Sequence, residues 1–312
     1  MSARQLVVLG TASQAPTRYR AHNSYALRWD DQLFLFDPGE GTQRQCILAG
    51  VAIARLTGIF VTHFHGDHCL GLPGVIQRRA LDARATEDDA GLPPLPVYYP
   101  ADGQDYLDRM RTVSIFHDTS NLEPRPVTGP GPLPGVGNLI LTAAALDHRV
   151  ATYGYRLAEP DGISLDPDAL AAAGLAGPAV GRLVAEGRVD GPQGPVDLAD
   201  VSRPRRGQSM AFVMDTAPCA GARELADGVD LLVCESTYCE DQADLAARYR
   251  HMTAAQAGRL AAEAGARRLV LTHFSARYPD PSVFLDEASA YHDDVVVAED
   301  LAAIDVPPRR GR

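Results

Sequence analysis

Four side chains that can bind a metal ion lie within six consecutive residues: His63, His65, Asp67 and His68. The preceding residues, 58–62, are mostly apolar and β-branched, a pattern typical of a short buried strand that ends in a loop. Neutral imidazole binds Zn²⁺ and similar metals, and a carboxylate adds an oxygen ligand. The alternation directs His63 and His65 to one ion and Asp67 and His68 to another. Because these side chains cannot fill two zinc coordination shells, further donors are expected elsewhere.

Three distant segments combine an apolar strand pattern with a donor at the strand's end. Residues 139–143 precede Asp147 and His148, residues 211–214 precede Asp215, and residues 268–272 precede His273. Taken alone, His148 or Asp215 fits a hydrogen-bonded loop residue better than a ligand, but the histidine cluster needs more donors. Asp215 could bridge two ions. Each ion then has three further ligands: His63, His65 and His148 for one, and Asp67, His68 and His273 for the other.

Several motifs along the chain accompany this cluster. They are residues 9–13 (LGTAS), 36–45 (FDPGEGTQRQ), 62–74 (THFHGDHCLGLPG), 153–156 (YGYR), 234–237 (CEST) and 271–278 (LTHFSARY). Together they resemble the metallo-β-lactamase superfamily and, within it, the ribonuclease Z family of tRNA 3′-processing endonucleases. The histidine cluster is typical of the superfamily, whereas residues 39–45 and 273–278 narrow the resemblance to the family.

The alternation of strand and helix patterns predicts an α/β fold, and the resemblance implies a metallo-β-lactamase αββα sandwich, with two mixed sheets flanked by helices. At 312 residues, of which 46% are hydrophobic, the chain fits one such domain spanning 1–312. The predicted strands are 6–9, 26–29, 33–36, 58–62, 97–99, 139–143, 153–157, 211–214, 231–234, 268–272 and 295–298. The predicted helices are 41–49, 68–80, 102–111 and 253–264, the last with a capping box between Thr253 and Gln256.

Residues 158–207 interrupt this pattern with Gly, Pro, Asp and Ala and only short helical pieces, such as 169–173. The resemblance implies that this insertion is a flexible arm that grips the tRNA. Gly177 and Pro178 resemble the arm's glycine-proline element, and Arg182 is a candidate RNA contact. Because the arm carries few basic residues, a solvated surface loop is the alternative.

Two divalent metals roughly 3.5–4 Å apart lower the pKa of a shared water to about 7 and so supply a hydroxide nucleophile at neutral pH. The resemblance implies that this hydroxide attacks the phosphodiester that joins tRNA to its 3′ trailer, with Asp67 orienting the water or taking its proton. The products are a 3′-hydroxyl on the tRNA and a 5′-phosphate on the trailer. His251 would protonate the leaving O3′, and Glu235 would orient His251. Met252 stands where the family usually has serine.

The resemblance also implies which residues contact the phosphates and bases of the RNA. Arg18 and Arg20 lie in a segment similar to a family loop, although Ala21 replaces its usual asparagine. Arg277 is a further candidate phosphate contact, and Phe64 is a candidate stacking partner near the cut.

The formal net charge of −11 is unusual for a protein that binds RNA. Two bound divalent ions would nevertheless keep the site electropositive. All the basic residues are arginine, whose planar fork suits phosphate. The five cysteines form no CxxC pair and suggest free thiols in a reducing compartment. No apolar run approaches the roughly 18 residues of a membrane span, so a cytoplasmic protein is expected.

The expected cofactors are two Zn²⁺ per subunit, with Mn²⁺ or Fe²⁺ as alternatives because they share such ligands. The expected partners are precursor tRNA and, from the resemblance alone, a second copy of the chain in a homodimer. Two other functions stay open. One is a dinuclear-metal hydrolase of small phosphodiesters or other esters, and the other is a metal-stabilised RNA-binding protein without turnover.

Overall fold

The structure is a computed structural model that describes residues 4–84 and 91–308. Its strands are β1 (Gln5–Gly10), β2 (Ser24–Trp29), β3 (Gln32–Phe36), β4 (Gly58–Phe60), β5 (Leu95–Pro100), β6 (Leu122–Val127), β7 (Gly131–Leu133), β8 (Ile140–Ala145), β9 (Tyr153–Ala158), β10 (Gly162–Leu165), β11 (Arg188–Gly191), β12 (Gly194–Asp197), β13 (Ser202–Arg205), β14 (Ser209–Val213), β15 (Leu231–Glu235), β16 (Arg268–Thr272), β17 (Val295–Val297) and β18 (Ala303–Asp305).

The α-helices alternate with these strands. They are α1 (Thr42–Leu48), α2 (Gly66–Cys69), α3 (Leu72–Arg84), α4 (Gln104–Thr112), α5 (Pro167–Ala172), α6 (Pro178–Glu186), α7 (Ala220–Ala226), α8 (Ala243–Tyr249), α9 (Ala254–Glu263) and α10 (Ser282–Ser289). No helix in the described ranges is both long and apolar enough to cross a membrane.

Two seven-stranded sheets form the main body. One has the strand order β18-β1-β2-β3-β4-β5-β6, and the other has the order β17-β16-β15-β14-β9-β8-β7. Each sheet is mixed: β3 to β6 run parallel, as do β14 to β17, whereas β1-β2 and β7-β8 are antiparallel. Parallel neighbours end at the same edge of a sheet, so loops far apart in sequence meet there.

The core consists of three apolar layers. Between the sheets, Phe36 packs against Phe212 with ring centroids 4.8 Å apart, in a cluster that draws on both sheets. A second cluster joins the outer face of one sheet to α7, α9 and α10, and a third joins the outer face of the other to α1, α3 and α4. Helix, sheet, sheet and helix therefore lie in that order, and the predicted αββα sandwich is confirmed.

The predicted capping box is present: the Thr253 hydroxyl accepts from the Gln256 N–H, and the Gln256 side chain accepts from the Thr253 N–H. The predicted continuous helix over 68–80 is wrong, because α2 ends at Cys69 and α3 begins at Leu72. Gly71 lies between them and donates its N–H to the Pro38 carbonyl. A Cβ at Gly71 would lie 1.9 Å from the Gly39 carbonyl oxygen, so the chain turns there against another backbone.

Ala158–Gln208 forms a second compact unit, separate from the unit of Met1–Leu157 and Ser209–Arg312. It contains α5, α6, the antiparallel pair β10-β13 and the hairpin β11-β12. Leu175, Leu183 and Val201 are its buried core. The prediction of irregular chain with only short helical pieces is therefore wrong. Its strands have four residues each, none of which is buried, and they lack the apolar alternation that identifies a strand.

Candidate active site

The candidate ligands meet because they follow strands that end at the same sheet edges. Asp215 comes two residues after β14 and His273 directly after β16, and both strands run parallel to β15. In the other sheet, β4 leads into the loop that carries His63 and His65, and α2 follows with Asp67 and His68. The turn after β8 carries His148.

The first donor group joins residues from three parts of the chain: His63, His65, His148 and Asp215. The Nε2 atom of His63 lies 3.0 Å from Nδ1 of His65, and Nε2 of His148 lies 3.3 Å from the same Nδ1. One Asp215 oxygen, Oδ2, lies 3.8 Å from Nε2 of His63. These four donors could hold one divalent ion.

The second donor group contains Asp67, His68 and His273. Nε2 of His68 and Nε2 of His273 are 3.2 Å apart, and Oδ2 of Asp67 lies 3.6 Å from the first and 3.4 Å from the second. Asp215 reaches this group as well, with Oδ2 3.2 Å from His68 and Oδ1 3.3 Å from His273. The structure thus places Asp215 between both groups, where a bridging carboxylate would lie.

Hydrogen bonds determine which nitrogen of each ring carries the proton. Nδ1 of His148 lies 3.0 Å from the Arg250 carbonyl, which can only accept, so Nε2 has a free lone pair. Nδ1 of His68 lies 2.8 Å from an oxygen of Asp37, so Nε2 is the nitrogen that faces the site. Nε2 of His68 and Nε2 of His273 face each other across 3.2 Å. Burial lowers the pKa of His68, but the carboxylates of Asp215, Asp67 and Asp37 outweigh it and raise that pKa, so a bound cation would replace a proton on this ring.

Asp215 gives an independent indication of a cation. Its side chain is almost wholly buried, and Oδ1 has no hydrogen-bond donor within the described part of the chain. An ionised carboxylate oxygen without a partner is costly to bury unless a cation binds it. The donor set therefore fits divalent metal ions by composition and by orientation.

The charge states also suit metal binding. Burial lowers the pKa of His63, His65 and His148, which favours the neutral imidazole that metals require. For Asp67 and Asp215, burial acts to raise the pKa, but the neighbouring histidines outweigh it and the pKa is lowered. Both carboxylates are thus held ionised.

Asp37 supports two of the proposed ligands from behind. It lies just after β3, fully buried, and accepts from Nδ1 of His68 at 2.8 Å. The Thr62 hydroxyl donates to Asp37 at 2.7 Å and accepts from Nδ1 of His63 at 3.0 Å. One carboxylate therefore orients His68 directly and His63 through a hydroxyl. Such outer contacts set the tautomer and basicity of ligating histidines.

Glu235 repeats this arrangement in the other sheet. It is fully buried at the end of β15 and accepts from Nδ1 of His251 at 2.9 Å. The Thr237 hydroxyl donates to Glu235 at 2.6 Å and accepts from Nδ1 of His273 at 2.9 Å. The Thr216 and Met252 N–H groups complete the hydrogen bonding of the carboxylate. Glu235 therefore orients His251 directly and His273 through a hydroxyl.

His251 lies at the edge of the donor groups, with Nδ1 4.0 Å from Asp215 Oδ2. Burial lowers the pKa of His251, but the Glu235 carboxylate has the larger combined effect and raises it to about 9. The ring is therefore held in its protonated form at neutral pH, which is the form that can donate a proton.

Two of the supporting residues adopt unusual backbone angles. Asp37 has φ of 44° and His273 has φ of 64°, in the left-handed region that side chains other than glycine rarely occupy. Each such residue costs on the order of 1–3 kcal/mol and persists only where the surroundings enforce it. Both turn sharply after a strand, so that the side chain enters the site.

A cleft of about 520 Å³ is lined by six of these residues: His65, Asp67, His148, Asp215, His251 and His273. Of the predicted RNA contacts, Arg277 lines this cleft, whereas Arg18, Arg20 and Phe64 are not among the described residues that do. Arg18 is exposed. Arg20 donates to the Tyr278 carbonyl at 3.0 Å and lies over the Phe274 ring, so its guanidinium joins two loops of the protein.

Phe64 is half-buried against two tyrosine rings. Its ring lies 5.7 Å from that of Tyr106 and 6.1 Å from that of Tyr99. A Cβ at Gly103 would lie 1.9 Å from the ring, so glycine is required beneath it.

The predicted arm residues lie in the second unit. Gly177 has a positive φ of 58° and precedes α6, where Pro178 takes a first-turn position that needs no N–H donor. Arg182 is exposed on α6.

Sequence reasoning did not assign roles to Asp37, Thr62, Thr237 or the Gln14 N–H. The Gln14 N–H donates to Asp67 Oδ2 at 2.7 Å and so helps hold a proposed ligand. Their positions in the sequence were the available signal: Asp37 directly follows β3, Thr62 follows β4 by two residues, and Thr237 follows Glu235 by two residues. Their partners could be identified only from the fold.

Comparisons with known proteins agree with this site. Residues 17–154 match the metallo-beta-lactamase superfamily, and residues 201–274 match the beta-lactamase superfamily domain. Ribonuclease Z of Salinispora arenicola is 54% identical, covering 99% of this chain and 98% of that protein. Ribonuclease Z of Nocardia farcinica is 53% identical, covering 99% of this chain and 100% of that protein. Ribonuclease Z of Chlamydia muridarum is 43% identical, covering 98% of this chain and 99% of that protein.

Solved structures share the fold. Human tRNase Z, short form, has a TM-score of 0.66 at 24% identity, covering 97% of this chain and 99% of that one. The metallo-beta-lactamase fold protein YhfI from Bacillus subtilis has a TM-score of 0.68 at 17% identity, covering 97% and 99%. Membership of the superfamily, together with the His/Asp cluster, indicates that divalent metal is used. The extent and identity of the match to the bacterial relatives place this chain in the ribonuclease Z family of the metallo-beta-lactamase superfamily.

Proposed function

We propose that this protein is a zinc-dependent endonuclease that removes the 3′ trailer from precursor tRNA, leaving a 3′-hydroxyl on the tRNA and a 5′-phosphate on the trailer. The observation that carries the proposal is the position of Asp215 between two metal-capable groups, with a protonated His251 held 4.0 Å from the same carboxylate. Membership of the ribonuclease Z family supports precursor tRNA as the substrate.

Two Zn²⁺ ions are the proposed cofactors. His63, His65 and His148 would hold one, Asp67, His68 and His273 the other, and Asp215 both. When bound, such ions activate a water and polarise the phosphate. Mn²⁺ or Fe²⁺ would suit the same ligands. Metal analysis of the purified protein tests the identity of the metal and the number of ions per chain. The expected result is two equivalents of zinc per chain.

The remaining chemistry belongs to the protein's own side chains. Asp67, ionised and held by the Gln14 N–H, is proposed to orient the attacking water and accept its proton. His251 is proposed to donate a proton to the leaving O3′, since Glu235 keeps the ring charged and occupies Nδ1, so that Nε2 is the available donor. Glu235 acts through His251 and is a positioning residue.

The direct test compares two RNAs of equal length, a 3′-extended precursor tRNA and an unstructured RNA, and maps the product ends. We expect a single cut near the acceptor end of the tRNA alone, leaving a 3′-hydroxyl. If neither RNA is cut while a small chromogenic phosphodiester is hydrolysed, the protein is instead a small-ester hydrolase.

The unit Ala158–Gln208 is the proposed tRNA-gripping arm, with Gly177, Pro178 and Arg182 as contacts. The small apolar core of this unit supports the proposal that the arm is a folded element. Replacing Ala158–Gln208 by a short Gly/Ser linker should abolish tRNA cleavage and spare the small diester. The proposed contacts of the main body are Arg18, Arg20, Phe64 and Arg277. Cleavage of tRNA at the original rate without the arm would contradict its role.

A homodimer in the cytoplasm is the remaining part of the proposal. All five cysteines are free thiols, as in a reducing compartment. The dimer is proposed from membership of the ribonuclease Z family. Light scattering on the eluting protein should give twice the chain mass of 33.4 kDa. A single chain mass would exclude the dimer.

A further inference from the structure

Two turns at the cleft are joined to each other by hydrogen bonds. One carries His148, and the other connects α8 to His251. Nδ1 of His148 donates to the Arg250 carbonyl at 3.0 Å, and the Arg250 guanidinium donates to the His148 carbonyl at 3.2 Å and to Asp147 at 2.9 Å. A side chain on either turn is therefore held at a fixed position relative to His148, a proposed metal ligand, and His251, the proposed acid.

Arg149 is such a group. Its guanidinium carbon lies 4.8 Å from the centroid of the Tyr249 ring, and Nη2 donates to the Arg248 carbonyl at 3.4 Å. Arg149 and Tyr249 both line the cleft. A guanidinium has five N–H donors, so one bond to a carbonyl leaves donors for a ligand. Arg149 has no assigned role in the chemistry described above.

The position of Tyr238 relates Arg149 to the reacting groups. Its ring centroid lies 6.0 Å from that of His251, and it lines the same cleft. Burial raises the pKa of Tyr238, and the positive charges of Arg277 and Arg149 oppose that rise. Arg149 directly follows His148, whose ring centroid lies 5.1 Å from that of His251, and both Arg149 and Arg277 line the cleft. Two cations therefore border the cleft near His251, the proposed donor of a proton to the leaving group.

We propose that Arg149, stacked on Tyr249, binds an RNA phosphate on the tRNA side of the cut. The inference rests on the proposed function. A planar fork supported by an aromatic ring is pre-organised for phosphate. Such a local contact is needed in a chain whose net charge is −11, because the protein as a whole repels RNA.

Arg248 provides a matched control. Its guanidinium carbon also lies over Tyr249, at 5.6 Å, but Arg248 is not among the described residues that line the cleft. Its backbone carbonyl, which accepts from Arg149, is retained in Arg248→Ala. The two substitutions remove the same charge from the same ring, and differ in whether that charge faces the cleft.

The first experiment measures steady-state cleavage of a 3′-extended precursor tRNA by the metal-loaded protein over a range of salt concentrations. For Arg149→Ala we expect KM to rise about 10- to 100-fold, the usual effect of losing a charge-assisted hydrogen bond. The slope of log(kcat/KM) against log[salt] should become shallower by about 0.7–0.9, the change for one lost phosphate contact. Arg149→Lys should show a smaller rise in KM than Arg149→Ala. Arg248→Ala should have the same KM and the same salt slope as the unsubstituted protein.

The second experiment identifies the phosphate. Precursors carry one neutral methylphosphonate at successive positions around the cut. At the contacted position, 5′ to the cut, the substitution should slow the unsubstituted protein and have no further effect on Arg149→Ala. The loss in Arg149→Ala should also be larger on the precursor than on a small chromogenic diester, which has no flanking phosphates.

Each outcome has a distinct meaning. If Arg149→Ala keeps the original KM and salt slope, or is as sensitive to every methylphosphonate as the unsubstituted protein, the inference is overturned while the proposed function stands. Equal losses in Arg149→Ala and Arg248→Ala would also overturn it, since charge alone would then account for both. If the unsubstituted protein hydrolyses the diester but never cuts the precursor, the proposed function fails, and the inference fails with it.

Discussion

The Nδ1 atom of His68 lies 2.8 Å from Oδ2 of Asp37, with both side chains fully buried. Asp37 lies just after β3, and His68 lies in α2, 31 residues further on. The contact directs Nε2 of His68 toward Asp215, 3.2 Å away. An equivalent contact joins Glu235 to His251. Each sheet thus supplies one buried carboxylate that orients the histidines at its edge.

Asp37→Asn should weaken metal binding without removing a ligand. The amide keeps the shape of the carboxylate but loses its charge and one of its acceptor oxygens, so His68 and His63 are held less firmly. We expect metal affinity to fall by about 10- to 100-fold, measured by competition with a chromogenic chelator. Asp31→Asn, at an exposed position, is the control and should bind like the unsubstituted protein. Equal affinities for the two variants would rule out this support role.

Thr237→Val should have a similar effect on the other side of the site. Valine preserves the shape but removes the hydroxyl that links His273 to Glu235. His273 then loses the acceptor for its Nδ1 proton, and we expect a loss of about 10- to 100-fold in metal affinity. Thr237→Ser retains the hydroxyl and should restore binding. If serine and valine behave alike, the methyl group rather than the hydrogen bond is what matters.

Glu235→Gln should move the alkaline limb of the pH-rate profile. The pKa of His251 is raised to about 9, above the ordinary value of about 6.5. Activity that needs protonated His251 is present below that pKa and is lost as the pH rises through it. Without the carboxylate the pKa returns toward its ordinary value, so the limb moves to lower pH.

The measurement is kcat for precursor cleavage from neutral to alkaline pH. Bound cations lower the His251 pKa in both proteins, so the difference between the two profiles is the result of interest. His251→Ala should remove the dependence on this group altogether. An unchanged limb in Glu235→Gln would show that another group titrates there.

Arg20→Ala and Arg18→Ala should differ in stability. Arg20 donates to the Tyr278 carbonyl and stacks on Phe274, so its loss should lower the free energy of unfolding by about 1.5–3 kcal/mol. Arg18 is exposed, and its loss should change that free energy by no more than about 0.5 kcal/mol. Urea denaturation of the metal-loaded proteins measures both. Equal stabilities would mean that the tie contributes nothing.

The α/β class could be predicted from the alternation of strand and helix patterns, whereas the order of the layers was expected from the family resemblance. Buried strands such as β4 and β16 have short apolar runs, and donors follow them within a few residues, so residue type and spacing were sufficient to propose the ligands. The break at Gly71 and the small strands of Ala158–Gln208 were not predictable in this way. The break at Gly71 depends on the close approach of the Gly39 backbone. The small strands lack an apolar pattern that would reveal them.

The sequence by itself determined which groups can bind metal, because that chemistry belongs to individual side chains and their local spacing. Only the tertiary structure decided what each remaining group faces. Arg20 and Tyr278 are 258 residues apart, and their contact gives a predicted RNA ligand a structural role that links two loops. Arg149 stands beside a predicted ligand, yet its place in the cleft depends on packing against Tyr249. Such contacts join distant parts of the chain, and no local pattern encodes them.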